Sequence, residues 1–157
     1  MNVQTKLASK VGKVVNTQHA EELIHNYKKE RWAHSSRRMG KPDSLSVWYS
    51  VEELEDFLTM IKEAGGDGVK LHFGAYSEEF AARPEYAGRQ TVVMLGTKAK
   101  EVDGKVVNKN IYQQSSKGTS LLAYNFGTLC PPTCGTGDQD SISISITDQG
   151  ECGISVG

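Results

Sequence analysis

The first predicted helix follows from apolar residues that recur at helical spacing after residue 17. Asn16 or Thr17 supplies its N-cap, because short polar side chains accept hydrogen bonds from the first free backbone N–H groups. The apolar stripe consists of Ala20, Leu23, Ile24 and Tyr27. We therefore predict a helix that runs to about His34. The polar stretch 35–43, which holds a glycine and a proline, predicts a loop.

A second helix is predicted between two short strands. Ser50 precedes Glu53 by three residues, which is the spacing of a capping box. The helical stripe that follows consists of Val51, Leu54, Phe57, Leu58 and Ile61. Gly65 and Gly66 then supply the stop. Residues 45–49 and 69–73 alternate between apolar and polar positions, so strand, helix and strand form a βαβ-like unit.

Further strands are predicted in the second half of the chain. Residues 90–95 are nearly continuous in apolar character, which is typical of a central strand. Asp103 and Gly104 form a hairpin-turn signal between valine-containing flanks. Residues 121–126 predict another strand or extended segment.

The two ends of the chain differ in composition from the middle. Residues 1–15 are basic and weakly amphipathic, which predicts a tail or a docking helix. Residues 136–157 are rich in Gly and Ser, and Ile142, Ile144 and Ile146 alternate with serines. This end is predicted to be a tail or a β-hairpin. Residues 16–135 remain as a single domain.

Composition places the chain among globular proteins. Of its 157 residues, 38% are hydrophobic and 24% are charged. Its longest apolar run is only a few residues, whereas a membrane span needs roughly 20. We therefore predict a soluble α+β protein with a three- to five-stranded sheet and two main helices on one face.

Charge and cysteine usage bear on partners and location. The net charge is −1, but residues 1–44 hold nine Lys or Arg and four Asp or Glu. We interpret this excess as a solvated helix face, and the absence of interleaved aromatics argues against a nucleic-acid partner. The cysteine count is odd, and the first residues lack the apolar run of a signal peptide. These features predict a cytoplasmic protein with reduced thiols.

Four sequence elements resemble those of a group of small uncharacterised bacterial proteins. The elements are Trp48-Tyr49-Ser50, His72-Phe73-Gly74-Ala75-Tyr76, Gly88-Arg89-Gln90-Thr91-Val92-Val93 and the segment 124–134, which ends in a CPPxC-like motif. The resemblance spans residues 45–135. It implies a bacterial, single-domain protein, and it implies no catalytic residue because the group has no established activity.

The CPPxC-like motif, Cys130-Pro131-Pro132-Thr133-Cys134, is the most distinctive chemical element. One interpretation is a rigid closing turn whose cysteines are small buried apolar groups. A second is a disulfide or redox pair, although Cys-x-x-Cys is the usual redox spacing. A third is a metal site that recruits His72 and Cys152, since structural zinc needs four ligands.

A polar ligand pocket is the other candidate site. His72 lies between Leu71 and Phe73 in a predicted strand, so its side chain points away from theirs and is free to line a cleft. The residues that would join it are Tyr49, Tyr76, Arg89 and Tyr124. Their grouping is implied by the resemblance and by their positions near strand ends.

The absence of recognised catalytic motifs favours a binding role over an enzyme. The chain has no nucleophile elbow, Walker-type loop or zinc-protease motif. We therefore predict a non-catalytic binding or interaction module for a small ligand or a protein partner. The isoleucine row near the C-terminus suggests self-association through strand pairing. The alternative is a thiol or metal site on Cys130 and Cys134, and the sequence does not specify a cofactor, a ligand or an oligomeric state.

Overall fold

The computed structural model describes residues 8–134, which fold into two compact units that interleave in the sequence. The first unit comprises residues 8–12, Tyr49–Phe73 and Val92–Phe126. The second comprises Lys13–Trp48, Gly74–Thr91 and residues 127–134. The predicted single domain over 16–135 stays a prediction. The isoleucine row and Cys152 lie outside the described residues, and residues 8–15 of the predicted N-terminal tail form neither helix nor strand.

The elements are those of a small α+β fold with several antiparallel strand pairs, as the sequence predicts. The helical segments are α1 (Thr17–Tyr27), a π-helical turn (Lys28–Trp32), α2 (Ala33–Met39), α3 (Val51–Glu63) and a 3-10 turn (Pro84–Tyr86). The strands are β1 (Ser46–Trp48), β2 (Gly68–Ala75), β3 (Gln90–Val102), β4 (Lys105–Asn110), β5 (Tyr112–Ser115), β6 (Gly118–Leu121), β7 (Ala123–Tyr124) and β8 (Thr128–Cys130).

The largest sheet of the described residues has four strands, with β3 in its middle. Its strand order is β2-β3-β4, and β7 also pairs with β3. This confirms the predicted central strand, which extends beyond residue 95 to Val102. β3 and β4 are antiparallel, and their last pair is Val102 with Lys105. The predicted two-residue turn joins them, with positive φ angles of 53° at Asp103 and 75° at Gly104.

The core of the first unit lies where α3 packs on this sheet. The predicted capping box is present: the Ser50 hydroxyl accepts from the Glu53 backbone N–H at 3.1 Å, and the Glu53 carboxylate accepts from the Ser50 N–H at 2.7 Å. The buried core residues are Phe57, Ile61, Met94 and Leu122. Of the predicted stripe, Phe57 and Ile61 are buried, whereas Val51 and Leu58 are exposed.

Close approach of α3 to β3 requires a residue without a side chain. A Cβ added at Gly96 would lie 2.9 Å from Ile61 Cγ1 and 3.1 Å from Leu122 Cδ2. The first distance is shorter than real Cβ contacts allow. Gly96 therefore lets Ile61 and Leu122 close over the strand.

The second unit is built on a continuous helical run from Thr17 to Met39. The helix does not stop at His34, and the stretch 35–39 predicted as loop is helical. Gly40 ends it in the left-handed conformation, with φ of 71°. The Gly40 N–H donates to the Arg37 carbonyl and the Lys41 N–H to the Ser36 carbonyl, which together form a Schellman motif.

β1 and β8 form a separate antiparallel ladder in the second unit. Ser46 pairs with Cys130 and Trp48 with Thr128. The predicted strand–helix–strand succession is present as β1, α3 and β2. However, β1 pairs with β8 whereas β2 pairs with β3, so the two strands belong to different sheets.

Within residues 8–134, no helix has the length and apolar character needed to cross a membrane.

Truncating the core of the first unit should destabilise the protein strongly. Phe57 is 2% exposed, so we expect Phe57→Ala to lower the free energy of unfolding by about 3–5 kcal/mol through lost burial and a residual cavity. Leu58→Ala is the matched control, because Leu58 is the next residue of α3 and its side chain is 44% exposed. Urea unfolding of both variants checks the prediction, and equal losses would contradict the assigned core.

Candidate functional site

A cleft in the second unit brings together three segments that lie far apart in the sequence. The end of α2, the end of β2 with the residues after it, and the turn after the 3-10 segment form its walls. Its volume is about 510 Å³. The lining residues are Arg38, Met39, Lys41, Ala75, Tyr76, Ser77, Glu78, Ala87 and Gly88. We call it the Tyr76 cleft.

An aromatic cluster supports Tyr76, the largest side chain of the lining. The Tyr76 ring stacks on Phe80 at a centroid distance of 4.5 Å and lies 5.9 Å from the Tyr86 ring. Tyr86 is fully buried, and its hydroxyl accepts hydrogen bonds from Arg83 at 3.1 Å and from the Leu129 N–H at 3.3 Å. Tyr76 therefore rests on a residue that is fixed from two sides.

A glycine lies between two other lining residues. Gly88 has a φ of +74°, a conformation that L side chains rarely adopt. A Cβ there would lie 3.5 Å from Met39 Cε and 3.9 Å from Glu78 Cγ, which are ordinary contact distances. Glycine is favoured at this position because of its backbone conformation, since a side chain would have enough space.

A buried carboxylate fixes the segment that carries Lys41. Asp43 is 2% exposed. Its carboxylate accepts from the backbone N–H groups of Gln90 at 2.6 Å and Ser44 at 2.8 Å, and from the Ser35 hydroxyl. A buried carboxylate needs such donors, because removing its charge from water is otherwise very costly.

The backbone of Asp43 is bonded as fully as its side chain. Its N–H donates to the Ser36 hydroxyl at 2.9 Å, and its carbonyl accepts from the Trp32 indole N–H at 2.8 Å. These bonds tie the segment after Gly40 back to the helical run. They also explain why α2 continues through two serines, since both hydroxyls bond to Asp43.

Tyr27 extends this polar region along the helix. Its hydroxyl donates to the Gln90 side chain. Burial, and secondarily the negative charge of Asp43, raise the pKa of Tyr27 to about 12. The phenol is therefore neutral, and a hydrogen-bond donor, across the physiological pH range.

The predicted ligand residues fall into separate surroundings. Tyr76 lines the cleft, whereas Arg89 is buried and donates to the carbonyls of Pro42 and Glu85. Through those bonds the Arg89 guanidinium connects two backbone segments of the second unit. His72 is exposed on β2 in the first unit.

Tyr49 and Tyr124 do come together, in the first unit. Their ring centroids are 5.6 Å apart, and the Tyr124 hydroxyl donates to the Glu53 carboxylate at 2.9 Å. Hydrogen bonds from Ser50, and after them the bond from Tyr124, lower the pKa of Glu53. The same Glu53 bond raises the pKa of Tyr124. The hydrogen bond between Tyr124 and Glu53 therefore extends the capping box of α3.

Cys130 and Cys134 are joined as a disulfide with a Cα–Cα distance of 4.8 Å. This arrangement is one of the three that the sequence left open, and it differs from the expected reduced thiols. The Cys130–Pro131 and Pro131–Pro132 bonds are both cis. Cys134 is exposed, whereas Cys130 is half-buried and its carbonyl accepts from the Leu45 N–H at 2.8 Å.

The metal interpretation gains no support from the part of the chain that the structure describes. Between residues 8 and 134, no three His, Cys, Asp or Glu side chains are placed to hold a metal ion. Sulfurs joined in a disulfide are not thiolates, which are the form that binds metals.

Sequence reasoning missed Arg38, Lys41 and Glu78 as candidate site residues. The signal for the first two was present: basic residues at 37 and 38, Gly40 and Pro42 are the usual marks of a helix C-terminus. No local signal places Glu78 beside them, because that proximity depends on how the chain returns from β2.

Comparison of the chain with protein-family models, curated proteins and solved structures gives no match. The resemblance to a bacterial group therefore stays a prediction, and a functional proposal has to rest on the geometry of the chain itself.

Removing the Asp43 carboxylate should destabilise the second unit. Asp43→Ala leaves the Gln90 and Ser44 N–H groups without their acceptor, and each unsatisfied buried donor costs about 1–3 kcal/mol. Asp43→Asn keeps one acceptor oxygen and should lose less. Urea unfolding followed by tryptophan fluorescence measures both. Asp56→Ala, at an exposed aspartate, is the control, and a loss no larger than the control's would contradict the role of Asp43.

Proposed function

We propose that this protein is a binding module whose small-molecule ligand occupies the Tyr76 cleft. The observation that carries the proposal is the cleft itself, with a volume of about 510 Å³. Ligand pockets typically measure about 300–1,000 Å³ and combine apolar walls with a few polar groups. The Tyr76 cleft has this mixed character, since Tyr76, Met39 and two alanines adjoin three charged side chains.

The supports of the cleft favour binding, because a preformed site loses little entropy when a ligand enters. Asp43 holds the segment that carries Lys41, and Tyr86 backs the Tyr76 ring. On the third wall, the Gly88 N–H donates to the Ser77 carbonyl at 3.0 Å. Each wall is thus fixed by contacts that do not involve the ligand.

The chemistry of the lining also favours binding over catalysis. Ser77 is its one hydroxyl besides Tyr76, and the nine residues include neither histidine nor cysteine. A nucleophilic serine needs a hydrogen bond to an adjacent general base, and within residues 8–134 the Ser77 hydroxyl has no such bond to Glu78 or Lys41. The cleft offers charge, hydrogen bonds and apolar surface, which are the requirements of recognition.

Filling the cleft should weaken ligand binding. Four aromatic probes of different charge, namely phenol, benzylamine, benzoate and phenyl phosphate, are titrated into the 15N-labelled protein. We expect at least one probe to shift the Gly88 amide resonance saturably. We expect Ala87→Trp to weaken its binding by about tenfold or more, since the indole occupies ligand space.

Ala81→Trp is the matched control for this experiment, because Ala81 is exposed in the same loop and does not line the cleft. It should bind the probe as the unmodified protein does. The proposal fails if none of the four probes shifts Gly88, or if Ala87→Trp binds as well as Ala81→Trp.

A second candidate function, thiol–disulfide exchange, is favoured by the exposed position of Cys134 in the bonded pair. An incoming thiolate attacks Cys134 Sγ, a mixed disulfide forms, and Cys130 leaves as a thiolate. A second thiol then attacks the mixed disulfide. The net reaction reduces the Cys130–Cys134 bond to two thiols and oxidises two external thiols to one disulfide.

This candidate predicts reversible exchange in the folded protein. Protein reduced with dithiothreitol and then desalted should reduce oxidised glutathione and lose two hydrogens per chain as the Cys130–Cys134 bond re-forms. Mass spectrometry and the release of glutathione measure the reaction. Cys134→Ser should prevent the intramolecular bond and stop at a mixed disulfide with glutathione, and Cys152→Ser should leave the full reaction intact. Resistance of the native pair to millimolar dithiothreitol would contradict exchange.

A further inference from the structure

The two cations of the Tyr76 cleft come from one short segment whose backbone is fixed. Arg38 is in the last turn of α2, and Lys41 follows the left-handed Gly40. The Schellman motif sets the direction of the chain at Gly40, and the Asp43 network holds the residues that follow. The attachment points of both side chains are therefore set before any ligand arrives.

Two backbone N–H groups at the other walls already have acceptors within the protein. The Tyr76 N–H donates to the Arg89 carbonyl and the Gly88 N–H to the Ser77 carbonyl, each at 3.0 Å. The side chains that can attract an anion to this cleft are the two cations, Arg38 and Lys41. Within residues 8–134, neither Arg38 nor Lys41 has a side-chain hydrogen bond or an ion pair.

The remaining lining residues define the body of the ligand. Tyr76 and Met39 contribute aromatic and flexible apolar surface to the lining, which suits a flat or hydrocarbon group. Glu78 adds one negative charge, so the three ionised side chains sum to a net positive lining. Glu78 also disfavours a second anionic group on its side of the cleft.

We infer that the ligand of the Tyr76 cleft is a small organic anion, whose carboxylate or phosphate group binds to Arg38 and Lys41 and whose apolar body lies against Tyr76. The inference rests on the proposed binding function and specifies the class of ligand. Guanidinium and ammonium groups form charge-assisted hydrogen bonds with carboxylate and phosphate oxygens, which are the strongest hydrogen bonds available here.

The test compares the four aromatic probes in the protein and in two charge-matched double variants. Arg38→Gln with Lys41→Gln removes the cleft cations. Arg37→Gln with Lys29→Gln removes the same charge from exposed positions of the same helical run, outside the cleft. NMR titration gives the Kd of each probe, and the Gly88 amide reports whether binding is in the cleft.

We expect phenyl phosphate or benzoate to bind more tightly than phenol and benzylamine. The cleft variant should weaken that binding by about tenfold, because two charge-assisted contacts are lost, while the control variant leaves it unchanged. Binding should also weaken as salt is raised. The ratio of the phenyl phosphate and benzoate Kd values shows which of the two anionic groups the cleft prefers.

The outcomes separate this inference from the proposed function. If phenol or benzylamine shifts Gly88 and binds as tightly as the anions, or if the cleft variant binds anions normally, the cleft is a binding site but not an anion site. If no probe shifts Gly88, the proposed function itself fails.

Discussion

Burial of one carboxylate is the constraint on which the second unit depends. Asp43 is shielded from water, so its oxygens must be met by donors that the fold supplies. Those donors come from the helical run and from the first residue of β3, 47 positions along the chain. Meeting this requirement joins three segments at one point. Helix, connecting segment and strand cannot shift independently without leaving a buried charge or a buried N–H without a partner.

The Tyr76 cleft is a consequence of this junction. The chain reverses at Gly40, and Asp43 then holds it, so Lys41 is carried on a segment with little freedom. Arg89 adds to the same anchoring from the other end, because it donates to the carbonyl of Pro42, the neighbour of Asp43. Arg89, which the sequence suggested as a ligand contact, therefore helps to position the cleft wall.

Features set by neighbouring residues were predictable, and features set by distant residues were not. The capping box at Ser50 and Glu53 and the hairpin turn at Asp103 and Gly104 each depend on a few adjacent positions, and both are present. The continuation of the helix past His34 was missed, because its serines are stabilised by Asp43, seven or eight residues away. The candidate site was harder still to predict, and the ligand role of the residues named from the sequence stays a prediction. Of the five predicted ligand residues, only Tyr76 lines the cleft, since sequence position near a strand end does not specify which strand ends meet.

In the second unit, different side chains stabilise the fold and supply the charges of the cleft, and this separation bears on how the protein can evolve. Gly40, Asp43 and Arg89 secure the backbone around the cleft, and substitutions there endanger the fold. Arg38, Lys41 and Glu78 project from that backbone without securing it. Natural variation can therefore exchange these three charges while the scaffold stays intact. Descendants of one ancestral chain could keep the same architecture and differ in the charge of the cleft.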